Sequence, residues 1–419
     1  MTVPRIAVLG AGPTGLEAAL AAHQRGWDVT VYEASADVAG HVRAWGHVRL
    51  FTPWSMDVSP RAAEALGLGE LPADVSPTGH ELADHLERLA ALLGDRVLLS
   101  TRVEAVAREG LLKSEEIGTD RRAGQPFRLL VVGPDGEERV ERADVVLDCT
   151  GTYSHPSPLG AGGIPAQGER RLADRVVRQI PDVVGDLARW ADREVLLVGA
   201  GNSAQTVARD LAAVGARVTW AVRSRRPHWG AVADDPLPDR VSLVASSRRL
   251  ASGEVDGVEL LAGVVVERLA DRDGRVHVTL AGSDGAPCEV VVDEVVAMTG
   301  AVGDASLYRQ LQVHECYATE GPMSLAASLV ADGAADCLAQ PALGVDALRN
   351  PEPRFFVLGI KSYGRNSTFL LRVGWEQVAE VFAALDTELA LPVRAGAAAA
   401  AGSAAEETPE QPGQVILTS

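Results

Sequence analysis

The 419-residue sequence predicts an α/β fold made of two related units. Each is a central parallel sheet in a three-layer arrangement with a β-meander, and the second unit is inserted in the first. Three observations carry this. A strand–turn–helix–strand pattern occurs twice, at residues 6–33 and 194–222. A hairpin pattern follows each copy. Each copy then ends in an apolar strand closed by Thr-Gly, at Thr150-Gly151 and Thr299-Gly300. Unrelated domains seldom share that order, so an internal structural repeat explains it better than chance.

The first copy opens with the apolar run Ile6 to Leu9, which ends in Gly10-Ala11-Gly12-Pro13-Thr14-Gly15. A helical pattern from Leu16 to Gln24 stops at Gly26, and Asp28 to Tyr32 is the next strand, closed by Glu33. Phe127 to Val132 and Glu137 to Val140 flank Gly133-Pro134-Asp135-Gly136, a hairpin signal. In the second copy Glu194 to Val198 leads into Gly199-Ala200-Gly201-Asn202-Ser203-Ala204. A helix is expected from Gln205 to Val214 and a strand from Arg217 to Val222. Val264 to Leu269 and Val276 to Leu280 then flank Asp273-Gly274.

These limits divide the chain. Residues 1–158 and 301–393 are expected to form the first unit and 190–300 the second. The connection from Gly151 to Arg193 is rich in Pro and Gly between Tyr153 and Pro165, with a helix expected from Leu172. Residues 395–419 are low in complexity and are expected to be disordered.

Composition narrows the function. The formal charge of −18 argues against phosphate neutralisation on nucleic acid and against a polybasic membrane anchor. The four cysteines, Cys149, Cys288, Cys316 and Cys337, include no C-x-x-C pair, which excludes a zinc ribbon and a sequence-local redox dithiol. No stretch approaches 18 apolar residues, and the N-terminus runs directly into a strand with no leader pattern. A cytoplasmic enzyme is expected. No His, Cys and carboxylate pattern has metal-ligand spacing.

The two turns suit diphosphates. Gly10 permits a tight turn, Gly12 lets the backbone touch a pyrophosphate, and Gly15 lets the helix pack closely on the strand. Glu33 stands where a carboxylate would accept ribose hydroxyls and repel a 2′-phosphate, which indicates FAD or NAD. At the second turn Ala204 replaces the third glycine. Arg223, followed by Arg225 and Arg226, stands in place of the acid. A guanidinium there pairs with a 2′-phosphate, so NADPH is expected over NADH; a solvated basic turn is the plain alternative.

On GAGPTG with Glu33, GAGNSA with the Arg223 cluster, and the two Thr-Gly strand ends, the sequence resembles the two-dinucleotide-binding-domain flavoproteins. More narrowly it resembles their NADPH-dependent flavin monooxygenase-like group, over about residues 3–390. The resemblance implies two Rossmann-like domains, FAD in the first and NADPH in the second. It implies FAD contacts from Gly10, Gly12, Pro13, Thr14, Gly15, Glu33, Arg49, Trp54, Val103, Thr150, Gly151, Gly359, Tyr363 and Gly364. For NADPH it implies Gly199, Gly201, Asn202, Ser203, Arg223, Arg225 and Gly300. Phe355 to Gly359 looks like the late strand that approaches the flavin, followed by a helix over 368–385 whose N-terminus faces the ring.

The activity so implied is hydride transfer from NADPH to FAD, then oxidation of a small organic substrate with molecular oxygen through a C4a-peroxyflavin. A reductase or dehydrogenase without oxygen insertion, and a non-catalytic flavin-binding sensor, are the alternatives. The interdomain linker lacks the FxGxxxHxxx[WY] signature of Baeyer–Villiger and related enzymes, and Ile360 stands where many relatives carry Asp.

Several segments are candidates for the reacting centre. Residues 40–54 combine Trp45, Trp54, His41, His47, Arg43 and Arg49 and would run along the flavin, or form an ordinary loop with buried aromatics. His314 and Cys316 lie in one short titratable run, and Lys361 and Arg365 flank Tyr363 on the presumed flavin loop. These four are the candidate catalytic residues, with solvated or structural roles as their alternatives. The charged run 109–125 is expected to be solvated surface. Oligomeric state is left open.

Overall fold

A computed structural model describes residues 3–282, 287–332 and 343–390. Cys337 and the low-complexity tail lie outside the described residues.

The first unit contains β1 (Arg5–Leu9), β2 (Asp28–Tyr32), β3 (Val97–Leu98), β4 (Arg102–Arg108), β5 (Phe127–Val132), β6 (Glu138–Ala143) and β7 (Val145–Asp148). The second contains β8 (Val176–Val177), β9 (Glu194–Val198), β10 (Arg217–Val222), β11 (Val258–Ala262), β12 (Val264–Arg272), β13 (Arg275–Gly282), β14 (Pro287–Val292) and β15 (Glu294–Ala297). The last strand is β16 (Phe355–Val357).

One five-stranded sheet has the order β16–β7–β1–β2–β3, the other β11–β10–β9–β15–β8, and all pairs in both are parallel. Reversing the second shows the same arrangement, with β9, β10 and β15 in the places of β1, β2 and β7. Each unit adds a three-stranded antiparallel meander, β4–β5–β6 and β12–β13–β14. The repeat read from the sequence is thus a repeat of topology. The outermost strand breaks the local order. In the first sheet it is β16, from far downstream, and in the second it is β8, from upstream.

Central strands are apolar along their length because both faces are covered. Ile6, Val8, Val145 and Leu147 point into a core closed by α1 (Pro13–Gln24), α2 (Gly79–Leu93) and a C-terminal helix (Leu371–Ala390). Proline in the first turn of α1 has no N–H to orphan and a φ suited to the helix. Thr78 and Glu81 form a reciprocal capping box that starts α2: Thr78 N–H donates to Glu81 Oε2 at 2.7 Å and Glu81 N–H to Thr78 Oγ1 at 3.2 Å. The second sheet is covered by α3 (Asn202–Ala213) and α4 (Pro238–Ala251); the C-terminal helix is α5.

Three local expectations are corrected. The helix from Leu172 is instead a short 3-10 turn at Ala173–Arg175 and then β8, because the β-branched pair Val176-Val177 is taken up by β15. Helix α5 starts at Leu371 rather than Thr368, because Asn366 Oδ1 accepts from Thr368 N–H at 3.0 Å and holds that stretch in a turn. The charged run 109–125 is not all solvated: Arg122 is fully buried.

Candidate functional site

Each glycine turn closes on the strand beside it. Gly10 has φ +97°, and a Cβ there would lie 2.8 Å from Cys149 O; a Cβ on Gly15 would lie 2.0 Å from Gly10 O. Only glycine lets α1 sit this close to β1 and β7. Gly12, by contrast, faces nothing within 4 Å and caps α1 without a side chain, which leaves an open approach to the helix's first N–H groups. Glu33 stands against this turn: its Oε2 accepts from Ala11 N–H and its Oε1 from Ser35 N–H, both at 2.7 Å. A carboxylate has further lone pairs for ribose hydroxyls. Thr101 N–H donates to Glu33 O at 2.7 Å, so the start of β4, with Val103, follows the same edge.

The second turn repeats this geometry. Gly199 has φ +128°, and its Cβ would lie 2.2 Å from Met298 O, whereas Gly201 is open and caps α3 without a side chain. Asn202 and Ser203 are exposed in the first turn of α3. The loop after β10 folds back on the turn. Buried Trp229 packs 4.6 Å from Trp220, Trp220 Nε1 donates to Gly199 O at 2.7 Å, and Gln205 Nε2 donates to Trp229 O at 2.9 Å. This anchors the basic run. Arg223, Arg225 and Arg226 are exposed, and the Arg223 guanidinium is unpaired among the described residues. The tryptophan pair that holds the loop gave no local signal.

Late residues return to the first turn. A Cβ on Gly359 (φ +71°) or on Gly374 would lie 2.8 or 2.7 Å from Thr14 Oγ1, so the 359–364 turn and α5 both press on α1. Gln377 links them, accepting from Gly359 N–H at 2.9 Å and donating to Ser362 Oγ at 3.0 Å. Tyr363 is buried beside Phe369, and burial pushes its phenol up to about 12. Gly364 (φ +58°) leaves room for Thr319 O, 2.0 Å from where its Cβ would be.

The four candidate catalytic residues separate. Lys361 is buried, and its ammonium donates to Asp148 Oδ2 at 2.6 Å, Asp304 O at 2.8 Å and Thr150 Oγ1 at 3.1 Å. Thr150 is held in turn by Asp148 Oδ1, and Gly151 follows with φ +69°. Arg365 is paired with Glu320 at 2.7 Å near the surface. His314 is exposed. Cys316 N–H donates to Gly321 O, and hydrogen bonds from the Thr319 side chain, then from the Thr319 and Ala318 amides, hold its thiol below the usual value. Gly300 lies beyond β15 in the second crossing, where the chain returns to the first unit, and its carbonyl accepts from Ser157 N–H, in the first crossing after β7, at 2.8 Å.

Segment 40–54 lies along α2. The ring of Trp45 packs on Gly79, where a Cβ would meet it at 2.7 Å, and Trp45 Nε1 and His47 Nε2 are buried without partners among the described residues. His41 Nε2 lies 2.9 Å from Ser154 Oγ in the first crossing. Arg43 pairs with Glu87 at 2.6 Å, and the Arg49 guanidinium donates to the Ser76 carbonyl. Trp54 meets His85 edge-on at 6.0 Å. Beneath them Asp57, His85, Glu17, Thr14 and Trp375 line a cavity of about 20 Å³, enough for one water. Burial raises Asp57 to about 7 and lowers His85 to about 4. Neither was singled out from the sequence. Glu17, a lone acid in the apolar run Leu16–Ala22, was the available signal.

Open glycine caps, an acid at one turn and unpaired arginine at the other fit two dinucleotides. The family model for pyridine nucleotide-disulphide oxidoreductases matches residues 4–317. Among curated proteins the chain is similar to indole-3-pyruvate monooxygenase YUCCA1 of Oryza sativa subsp. japonica, 27% identical over 53% of this chain and 48% of that one. It is also similar to ferredoxin–NADP reductase of Salinispora arenicola, 29% identical over 61% of this chain and 67% of that one. The match thus spans about half the length of the rice enzyme. Two solved structures share the fold: bacillithiol disulfide reductase from Bacillus cereus (TM-score 0.66, 18% identity, 92% of this chain and 100% of that chain) and ornithine N-hydroxylase from Kutzneria sp. 744 (TM-score 0.63, 16%, 93% and 100%). The chain therefore belongs to the pyridine nucleotide-disulphide oxidoreductase family, as a two-dinucleotide-binding flavoprotein oxidoreductase whose cofactors are FAD and a nicotinamide dinucleotide.

Proposed function

We propose that the protein is an NADPH-dependent flavoprotein monooxygenase acting on a small organic substrate with molecular oxygen. In this reading residues 1–158 and 301–393 hold FAD and residues 190–300 hold NADPH. The observation that carries the choice of reductant is Arg223, exposed and, among the described residues, unpaired just after β10, where the first unit has Glu33 just after β2. FAD, when bound, supplies hydride acceptance and reaction with oxygen.

The chain's residues bind, orient and exclude water. The N–H groups of α1 beside Gly12 receive the FAD diphosphate, and Glu33 accepts the ribose hydroxyls. At the second turn Gly201, Asn202 and Ser203 receive the nicotinamide dinucleotide diphosphate, and Arg223 with Arg225 pairs with its 2′-phosphate. Buried Tyr363, with half-buried Phe369 packed against it, keeps water from the loop before α5. Among the described residues Cys149, Cys288 and Cys316 are free thiols, which leaves no dithiol among them to accept electrons from the flavin.

A reductase without oxygen insertion is the second reading, favoured by the ferredoxin–NADP reductase match, which covers 67% of that relative. Isotopic oxygen separates the two. NADPH oxidation under ¹⁸O₂ with a panel of small amines, thioethers and ketones is expected to yield product carrying one labelled atom. Turnover of artificial acceptors with unlabelled products throughout would favour the reductase.

A further inference from the structure

We propose that Lys361 is a positioning residue, a buried latch that fastens both interdomain crossings to the turn preceding α5. Its ammonium reaches three acceptors in two segments far apart in sequence: Asp148 and Thr150, where the chain leaves the first sheet, and Asp304, just after it returns from the second. Lys361 and Asp148 are 2% and 0% exposed. A buried ion pair is weak evidence for stability, since desolvation offsets the attraction, but fully hydrogen-bonded it specifies one arrangement of the segments it joins. All three ammonium donors are used here. The lysine stem is equally constrained: a Cβ on Gly303 would lie 2.4 Å from its Cγ, so the second crossing is glycine where the stem passes.

The two crossings are laced to each other beyond the latch. Ser157 N–H donates to Gly300 O at 2.8 Å, Val302 N–H to His155 O at 3.1 Å, and Thr299 Oγ1 to Ser157 O at 2.6 Å. On the other side of Lys361, Gly359 and Ser362 are tied to α5 through Gln377, and Gly359 touches Thr14 of the first glycine turn. Motion of the second unit therefore has to bend the chain at 152–157 and 299–302, while 148–151 and 303–304 stay with the first. Through the same contacts a displacement of either crossing is carried to the turn at 359–364.

The test is amide hydrogen exchange on the FAD-loaded full chain without nicotinamide. The double variant Lys361→Met/Asp148→Asn removes both charges and keeps an acceptor for Thr150. Gly303→Ala evicts the lysine stem with both charges in place. Each is expected to speed exchange in 151–157 and 299–304 at least tenfold, with β1 and β9 within twofold of the parent. A single-turnover assay with NADPH should show slower flavin reduction at saturation with little change in the half-saturating concentration. Unchanged exchange in the crossings, or acceleration spread equally over β1 and β7, would overturn the latch. Where the double variant does not fold, Gly303→Ala alone decides by the same criteria. The kinetic arm rests on the reading of NADPH as reductant, and the exchange arm does not. A parent that NADPH fails to reduce, with the exchange contrast intact, counts against that reading alone.

Discussion

Arg122 Nη2 lies 2.7 Å from Glu352 Oε2, with both side chains at most 1% exposed. Arg108 Nε reaches the other oxygen of Glu352 at 2.6 Å and stacks over Phe127 at 3.7 Å. The amide of Gln312 adds a bond to Glu352 at 2.8 Å. One carboxylate thus gathers β4, the 109–125 excursion and the segment before β16.

Removing that carboxylate strands two buried guanidiniums. Glu352→Gln is expected to lower stability by about 3–5 kcal/mol, as for other broken buried pairs. Arg142→Ala, which breaks a half-exposed pair with Glu109, should cost about 0–1 kcal/mol. Urea denaturation of the three proteins checks this; equal costs would contradict the triad's role.

Gly12 and Gly15 separate ligand binding from folding. A Cβ on Gly12 meets nothing within 4 Å among the described residues, whereas one on Gly15 collides with Gly10 O. Gly12→Ala should leave the apoprotein melt within about 1 kcal/mol of the parent, since it changes only a cap. It should weaken FAD binding at least tenfold, read by flavin fluorescence. Gly15→Ala should lower the melt itself.

Arg223 has a selective role in this account. A charge-assisted hydrogen bond contributes about 1.5–3 kcal/mol, so Arg223→Ala should cut the preference for NADPH over NADH roughly 10- to 100-fold. The loss should fall on NADPH alone. Steady-state kcat/KM with each nucleotide gives the ratio, and an unchanged ratio would place the phosphate elsewhere.

Asp57 makes stability depend on pH. Its Oδ1 accepts from Thr52 at 2.6 Å, its Oδ2 is buried without a partner among the described residues, and burial raises it from 3.8 to about 7. Folding therefore favours the protonated acid. That contribution is whole below pH 3.8 and is lost as pH rises through 7. Asp57→Asn mimics the neutral form. Relative to the parent it should gain about 2–3 kcal/mol of stability between pH 5 and pH 8, by the usual value per pKa unit. His85, lowered from 6.5 to about 4, runs the other way: its contribution is whole above pH 6.5 and is lost as pH falls through 4. Denaturation series on Asp57→Asn and His85→Gln check both slopes.

What the sequence made legible is what backbone geometry demands locally. The repeated topology, the glycine turns and the meanders each need particular residue types at fixed spacing, so Gly10, Gly15 and Gly199 could be read directly. The basic run after β10 stood out by its break from Glu33. The rest depends on distance in the chain. Arg122 and Glu352 are 230 positions apart and Lys361 and Asp148 213, so no local pattern joins them. That is why 109–125 looked solvated and Lys361 looked free for chemistry. The stretch from Leu172 failed for the same reason, since β8 exists only because β15 lies beside it.

In the proposed reaction reducing equivalents pass from NADPH at the second turn to FAD at the first. Anaerobic titration of the FAD-loaded protein with NADPH, followed at the flavin's visible absorbance, tests it most directly. Full bleaching at one equivalent is expected, with NADH far slower at the same concentration. A flavin that stays oxidised under excess NADPH, or that responds equally to both nucleotides, would contradict it.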